Sequence, residues 1–416
     1  MTASHTDRLE LLYRLSQAFN SSLDLDQVLE RVIDEVIAAT HAERGFIMLR
    51  AADGQLVFRA ARGIDRKTIE EPKFEISRSI VESVAESAQP VVTSDALHDV
   101  QYQRRESVMN LRLRSILCVP LLHKGVVLGV IYVDNRLQVG IFTEKDLDLL
   151  NAIGASAAIA IENARLYQVA VEKGRLEREL QVARSVQTSL LPSATPQIDG
   201  WEFAAWWEPA RQVAGDFYDF IPAGDGQLGL VIADVSDKGM PAALFMALSR
   251  STVRASVTAA TTPTDGINRA NRLLCADATD GMFVTLFYAQ LDPAAGGLLY
   301  VNAGHNPPLH YNANTDEIDL LTRTGMPLGV DDLGDYGQRG VQLASGDLIL
   351  LYTDGVTDAR NARGEEFGLK RLREIVFEHR RATASNLVAA LTAALRDFTA
   401  AAEPFDDITA VAVKRL

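Results

Sequence analysis

Four aspartates in the C-terminal half of the chain border apolar, strand-like runs. They are Asp216 in Val213-Ala-Gly-Asp-Phe-Tyr-Asp219, Asp234 in Leu230-Val-Ile-Ala-Asp-Val235, Asp354 in Leu348-Ile-Leu-Leu-Tyr-Thr-Asp-Gly355 and Asp406 in Phe405-Asp-Asp-Ile-Thr409. A carboxylate at the tip of a hydrophobic strand is costly to desolvate unless a cation or a partner charge neutralises it. Four of them, with no Cys or His beside them, describe an all-oxygen donor set for hard divalent ions such as Mg²⁺ or Mn²⁺. Two such ions about 3.5–4 Å apart clamp a phosphoryl oxygen and bring a bound water's pKa toward neutrality. The chemistry is hydroxide attack on phosphorus without a covalent protein intermediate. A single aspartate is as often a cap or a solvated side chain. The joint occurrence carries the reading, together with Gly215, Gly239 and Gly355, where a missing Cβ permits close backbone approach.

The elements that must position these residues follow from periodicity. Strands are expected near 201–207, 213–220, 228–234, 283–291, 297–301, 307–311, 339–343, 347–353 and 408–414, and helices over 240–258, 264–277, 368–380 and 384–401. Two sets of strands with four helices suggest a β-sandwich covered on each side by helices. The N-terminal part reads as α+β. Helices are expected over Leu9–Phe19 and Leu25–Ala39, the second capped by Asp24 or Asp26. Strands Gly45–Arg50 and Leu56–Ala61 flank a hairpin signal at Asp53-Gly54. A helix over Ser79–Ser87, a strand at Val91-Val92, and strands Ser115–Leu122 and Val126–Val133 follow. Thr143 and Asp146 form a capping box that opens a long helix.

That helix does not stop with the first domain. Leu166, Val169, Lys173, Leu176, Leu180, Ala183, Gln187 and Leu190 alternate by three and four, mostly apolar, with charges beside them and Pro192 ending the run. Either a parallel two-chain coiled coil or a lone helix packed on its own domain satisfies this pattern. The expected division is a domain over 1–165, a helical coiled-coil linker over 160–192 and a domain over 193–416.

In the second domain the segments around the four aspartates, with Phe283-Val-Thr-Leu-Phe-Tyr288, Asn302-Ala-Gly-His-Asn-Pro-Pro-Leu309 and Ser345-Gly-Asp-Leu348, resemble the PPM-type metal-dependent serine/threonine phosphatases. The resemblance is to the SpoIIE and RsbU branch and covers about residues 180–416. It implies an αββα sandwich holding two divalent cations, Mn²⁺ or Mg²⁺. It further implies that Asp234 bridges both ions with the Val235 carbonyl assisting, that Asp354 and Asp406 complete one shell, and that Asp216 ligates the second ion or lies beside the bridging water. Asp219, Asp237, Asp358 and Asp407 are accessory carboxylates. Where the family often has Gly-Gly-Asp this chain has Ala214-Gly-Asp, and Asp237 stands where many relatives carry Gly. The favoured reading of Asp237 is a cap for the helix near Met240. His305 is a candidate general acid, against the plainer reading of a histidine that packs a turn. Lys238 and Arg211 are candidate phosphate partners.

The first domain resembles a GAF sensory domain, through Ser115-Ile-Leu-Cys-Val-Pro-Leu121, Gly129-Val-Ile-Tyr-Val-Asp-Asn135 and Phe142-Thr-Glu-Lys-Asp-Leu147. Such domains bind a small molecule, carry a cofactor or only dimerise. Cys118 and the scattered histidines supply neither a cysteine cluster nor clear haem ligation. Helix pairing or rotation at the linker is a physical route to the strands carrying Asp216 and Asp234, since a ligand displaced by about 1 Å can cost a hundredfold in rate.

Composition narrows the function classes. A net charge of −14 over 416 residues argues against non-specific nucleic-acid binding and anionic membrane surfaces. No apolar run reaches membrane-span length, Met1–Arg8 lacks a signal-peptide layout, and Cys118 and Cys275 read as small core residues. The expectation is a cytoplasmic, disulfide-free homodimer, paired through linker and GAF domain. It would act on a phosphorylated anti-sigma-factor antagonist in partner-switching signalling. The competing reading is a catalytically silent sensor scaffold that docks signalling partners. A nucleotide cyclase is disfavoured, because Phe217-Tyr218 separates the acids that such enzymes keep adjacent.

Overall fold

Alternation along β1 (Arg44–Arg50) organises the first unit: Phe46 and Met48 face one side of the sheet, Ile47 and Leu49 the other. The computed structural model describes residues 10, 13–63, 76–93, 115–136, 141–278, 281–400 and 405–416. The chain divides into two units, residues 1–175 and 176–416. In the first, β1 joins β2 (Leu56–Gly63), β3 (Val91–Thr93), β4 (Ser115–His123) and β5 (Val126–Asn135) in an antiparallel sheet of order β2-β1-β5-β4-β3. Helix α1 (Leu25–Thr40), capped by Asp24 through the Gln27 amide, covers one face with Val28, Leu29, Val32 and Ile33. Helix α2 (Arg78–Ser87) covers the other with Ile80 and Val84, against Cys118 and Tyr132. Arg44 and Asp134 are cross-strand partners, both buried, joined by a two-pronged pair at 2.9 and 2.6 Å.

Helix α3 (Glu144–Leu190) is a single 47-residue element opened by the Thr143–Asp146 capping box, in which Asp146 accepts from the Thr143 amide at 2.8 Å. Leu166, Val169 and Leu176 are exposed, whereas Gln187 is buried. The stripe therefore does not continue as one seam to Leu190; its end is taken up by the second unit. The start of the first expected helix, at Leu9, lies outside the described residues.

The second unit has two antiparallel five-stranded sheets. One has β7 (Phe217–Pro222), β8 (Leu228–Val235), β9 (Val284–Asp292), β10 (Gly297–Ala303) and β13 (Arg339–Gln342) in the order β13-β10-β9-β8-β7. The other has β6 (Trp201–Glu208), β11 (Leu309–Asn312), β12 (Glu317–Leu320), β14 (Leu348–Tyr352) and β15 (Ile408–Arg415) in the order β12-β11-β14-β15-β6. Leu230, Ile232, Phe287, Ile349, Leu351, Val411 and Val413 fill the space between the sheets. Helices α4 (Met240–Thr258) and α5 (Pro263–Asp277) cover the outside of the first sheet. A short α6 (Asp354–Thr357) follows β14, and α7 (Gly368–Glu378) and α8 (Ala384–Thr399) cover the outside of the second. This is the αββα sandwich expected from the sequence.

Several boundaries differ. The strand expected over 213–220 begins only at Phe217; the amides of Ala210, Ala214 and Gly215 donate to the side chains of Asp407 and Gln187 rather than to a ladder. The short strand β12 and the single turn α6 were not anticipated. Cys118 is fully buried, but Cys275 is only half-buried, with its thiol on the Asn271 side chain. Among the described residues no helix is long and apolar enough to cross a membrane.

Candidate metal centre between the two sheets

Period-two alternation delivers the site. Along β8, Leu230 and Ile232 point between the sheets, so the next position in that phase, Asp234, points there too. Ile349 and Leu351 of β14 lead in the same way to Thr353, and Val413 and Val411 of β15 lead back to Thr409. Each inward apolar row therefore ends in a polar residue at one end of the sandwich.

Asp216, just before β7, is buried there. Its Oδ2 accepts from the hydroxyls of Thr353 and Thr409, both at 2.7 Å, while the Thr409 amide donates to Thr353 Oγ1 at 3.0 Å. Burial and the neighbouring charges of Asp234 and Asp407 raise its pKa well above the usual carboxylate range, against the two hydroxyl bonds. Burial, with the charges of Asp354 and Asp406, pushes Asp234 up to about 7. Burial, Asp406 and Asp358 push Asp354 up to about 6.

Asp407 does a different job. Its Oδ1 accepts from the Ala210 amide and its Oδ2 from the Gly215 amide, both at 2.8 Å, fixing the loop that carries Asp216. Gly355 lies so close to this segment that a Cβ there would sit 1.9 Å from the Asp407 carbonyl oxygen. Glycine at 355 lets the start of α6, with Asp354, meet the 406–407 backbone.

Asp216, Asp234, Asp354, Asp406 and Asp407 thus form one mutually repelling group. Asp219 lies elsewhere: it is buried under α4, with Oδ2 3.0 Å from Arg250 Nη2 and 2.7 Å from Arg254 Nη1. Those arginines are a helical turn apart on α4, so Asp219 ties helix to sheet. Asp237 is exposed on the β8–α4 turn with φ of 71°, and the N-cap of α4 is Gly239, with no side-chain cap bond. The expected cap is therefore absent. The left-handed backbone at 237 explains why glycine suits this position, and Asp is among the few other residues that tolerate it. Asp358 accepts from the Thr357 hydroxyl beside α6. Arg211 is exposed on the 209–216 loop.

His305 is buried, its Nδ1 2.8 Å from the Thr285 hydroxyl, and Thr285 is the cross-strand partner of Asp234. Burial lowers its pKa to about 4. A buried ring kept neutral in this way fits the plainer reading of a histidine that packs, rather than an acid at neutral pH.

Sequence reasoning passed over Gln187. Its Nε2 donates to the carbonyls of Ala214 (2.9 Å) and Ala243 (3.2 Å), and its Oε1 accepts from the Ala214 amide at 3.1 Å. The signal was a polar residue interrupting an otherwise apolar stripe.

The donor set suits a hard divalent cation: all oxygen, with Asp216 buried and the others half-buried, raised carboxyl pKa values at Asp216, Asp234 and Asp354, and, among the described residues, one ammonium, Lys238, paired to it at Asp406. Among the described residues no three carboxylate, imidazole or thiolate groups are already gathered as a metal shell. The individual partners explain this: Asp216 is turned to hydroxyls, Asp407 to amides and Asp406 to Lys238.

Residues 224–416 match the family described as Stage II sporulation protein E (SpoIIE), and residues 22–162 match a GAF domain. Phosphoserine phosphatase RsbU of Bacillus subtilis is 30% identical over 245 residues, covering 58% of this chain and 71% of that protein. Protein IcfG of Synechocystis sp. is 34% identical over 274 residues, covering 59% of this chain but only 43% of IcfG. The solved SiaA-PP2C domain of Pseudomonas aeruginosa shares the fold at a TM-score of 0.53 and 22% identity, over 59% of this chain and 99% of that domain. The fold and these relatives define the second unit as a PP2C-type phosphatase domain, a metal-dependent class. The chain belongs to the SpoIIE/RsbU family of phosphatases, with a GAF domain at its N-terminal side.

Proposed function

We propose that this chain is a phosphoserine/phosphothreonine protein phosphatase that uses two Mn²⁺ or Mg²⁺ ions and is regulated by its GAF domain. The observation that carries it is the group of five aspartates at one end of the sandwich, with, among the described residues, a single ammonium paired to it. In this reading Asp234, with the Val235 carbonyl, would help to hold both ions, Asp354 and Asp406 one of them, and Asp216 the other. Ions bound there would supply a water acidified to near neutrality and a clamp on the phosphoryl oxygens. The chain supplies position. Thr353 and Thr409 aim Asp216, Asp407 anchors its loop, and Gly355 admits the Asp354 turn.

The substrate fitting this reading is the phosphorylated form of a small anti-sigma-factor antagonist in the cytoplasm. RsbU, the relative covered over 71% of its length, carries the name phosphoserine phosphatase. Exposed Leu166, Val169 and Leu176 on α3 support pairing with a second copy along the linker. A small-molecule ligand of the GAF domain is the natural input. The test is hydrolysis of an aryl phosphate by the full chain with and without Mn²⁺. Metal-dependent turnover abolished in Asp234→Ala and Asp354→Ala supports the reading; turnover indifferent to metal and to both substitutions removes it.

A further inference from the structure

The β8–α4 turn brings a positive charge of the protein's own into the acidic group. Lys238 Nζ lies 2.8 Å from Asp406 Oδ2, donates to the Phe405 carbonyl at 2.9 Å and sits 4.8 Å above the Phe405 ring. Among the described residues it is the one ion-pair partner of these five carboxylates. The turn that presents it is unusual, with left-handed φ values on either side, 71° at Asp237 and 82° at Gly239. Its side chain is 42% exposed and that of Asp406 28% exposed, so the pair opens to water without any repacking of the core.

Asp406 Oδ2 is engaged by the ammonium while Oδ1 accepts from the Asp407 amide at 3.0 Å, so a divalent ion must compete for this carboxylate, and the unit charge at that place repels it. We propose that Lys238 is a displaceable counter-cation: it holds Asp406 while no divalent ion is bound, and must release that carboxylate for the metal shell to close. This rests on the metal-phosphatase reading above and adds to it a competitor built into the chain. Metal binding is then an exchange of cations at Asp406, with Lys238 swinging into solvent at the mouth of the centre.

Two measurements on the full chain test it. Amine acetylation, read by mass spectrometry during a Mn²⁺ titration, should show Lys238 becoming several-fold more reactive, with a midpoint matching the calorimetric Kd. Lys238→Met should bind Mn²⁺ about two- to fivefold more tightly, the worth of a half-exposed ion pair, and the gain should vanish in an Asp406→Asn background. Unchanged labelling on metal binding overturns the proposal. So does a Lys238→Met gain that persists without the Asp406 carboxylate, which would mean general repulsion. If calorimetry detects no divalent binding at all, the metal-centre reading itself falls; if ions bind and Lys238 stays protected, only the exchange falls.

Discussion

Gln187 and Ala214 exchange two hydrogen bonds, the side-chain amide donating to the Ala214 carbonyl at 2.9 Å and accepting from its N–H at 3.1 Å. Ala214 is followed by Gly215, whose amide is held by Asp407, and then by Asp216. The last turns of α3 therefore grip the peptide two residues before an expected metal ligand, and through Ala243 they also grip α4. On the proposed reading, a shift of these last turns would reach the centre through this amide. Gln187→Ala leaves the buried Ala214 N–H and carbonyl without this partner, at about 1–3 kcal/mol each. We expect a lower Tm and a fall of at least about tenfold in kcat/KM, since small ligand displacements are costly, with partial rescue by excess Mn²⁺. Full activity at ordinary metal concentrations would show that the grip does not position Asp216.

Gly355→Ala should be among the most damaging single-atom changes in the second unit. Its Cβ would lie 1.9 Å from the Asp407 carbonyl oxygen, so either α6 or the 406–407 segment must move. Near-complete loss of turnover is expected, with a folded circular dichroism spectrum. Activity within about twofold of the parent would contradict this packing.

The raised carboxyl pKa values fix a pH dependence for the metal-free protein. Asp234 at about 7 and Asp354 at about 6 both stand above their unfolded values near 3.8. Groups raised on folding contribute stability that is complete below the unfolded pKa and is lost as pH rises through the folded one. Thermal stability without divalent ions should therefore decline between about pH 4 and pH 8, by several degrees. Saturating Mn²⁺ should largely remove the decline. Melting curves across that range decide it; a metal-free Tm that rises over this window would show that the carboxylates are not crowded.

Asp219 separates structure from chemistry. It is buried beneath α4 and joined to Arg250 and Arg254. Asp219→Ala leaves two guanidinium groups without their carboxylate and should destabilise the fold by about 3–5 kcal/mol. Mn²⁺ affinity at a temperature where the variant is folded should stay within about threefold. A selective loss of metal binding, without loss of stability, would return Asp219 to the centre.

The sandwich was legible because inward apolar rows of period two are a strong signal, and the same phase placed Asp234 between the sheets. The strand expected at Val213 was not a strand, since residues 209–216 bond to Asp407 and Gln187, both remote in sequence. The expected position of Asp219 failed for a similar reason: its partners are 31 and 35 residues further on, and nothing local marks them. The cap assigned to Asp237 ignored the left-handed backbone that its glycine-bearing relatives hint at. Gln187 showed itself only as a break in an apolar stripe, which reads equally well as a coiled-coil imperfection.

The most direct test is a calorimetric titration of the full chain with Mn²⁺, repeated for Asp234→Asn and run beside turnover of a phosphoserine peptide. The account predicts binding of two ions by the parent chain, metal-dependent turnover, and loss of both in the variant. Unimpaired ion binding and turnover in Asp234→Asn, or turnover by a parent chain that binds no ion, would contradict it.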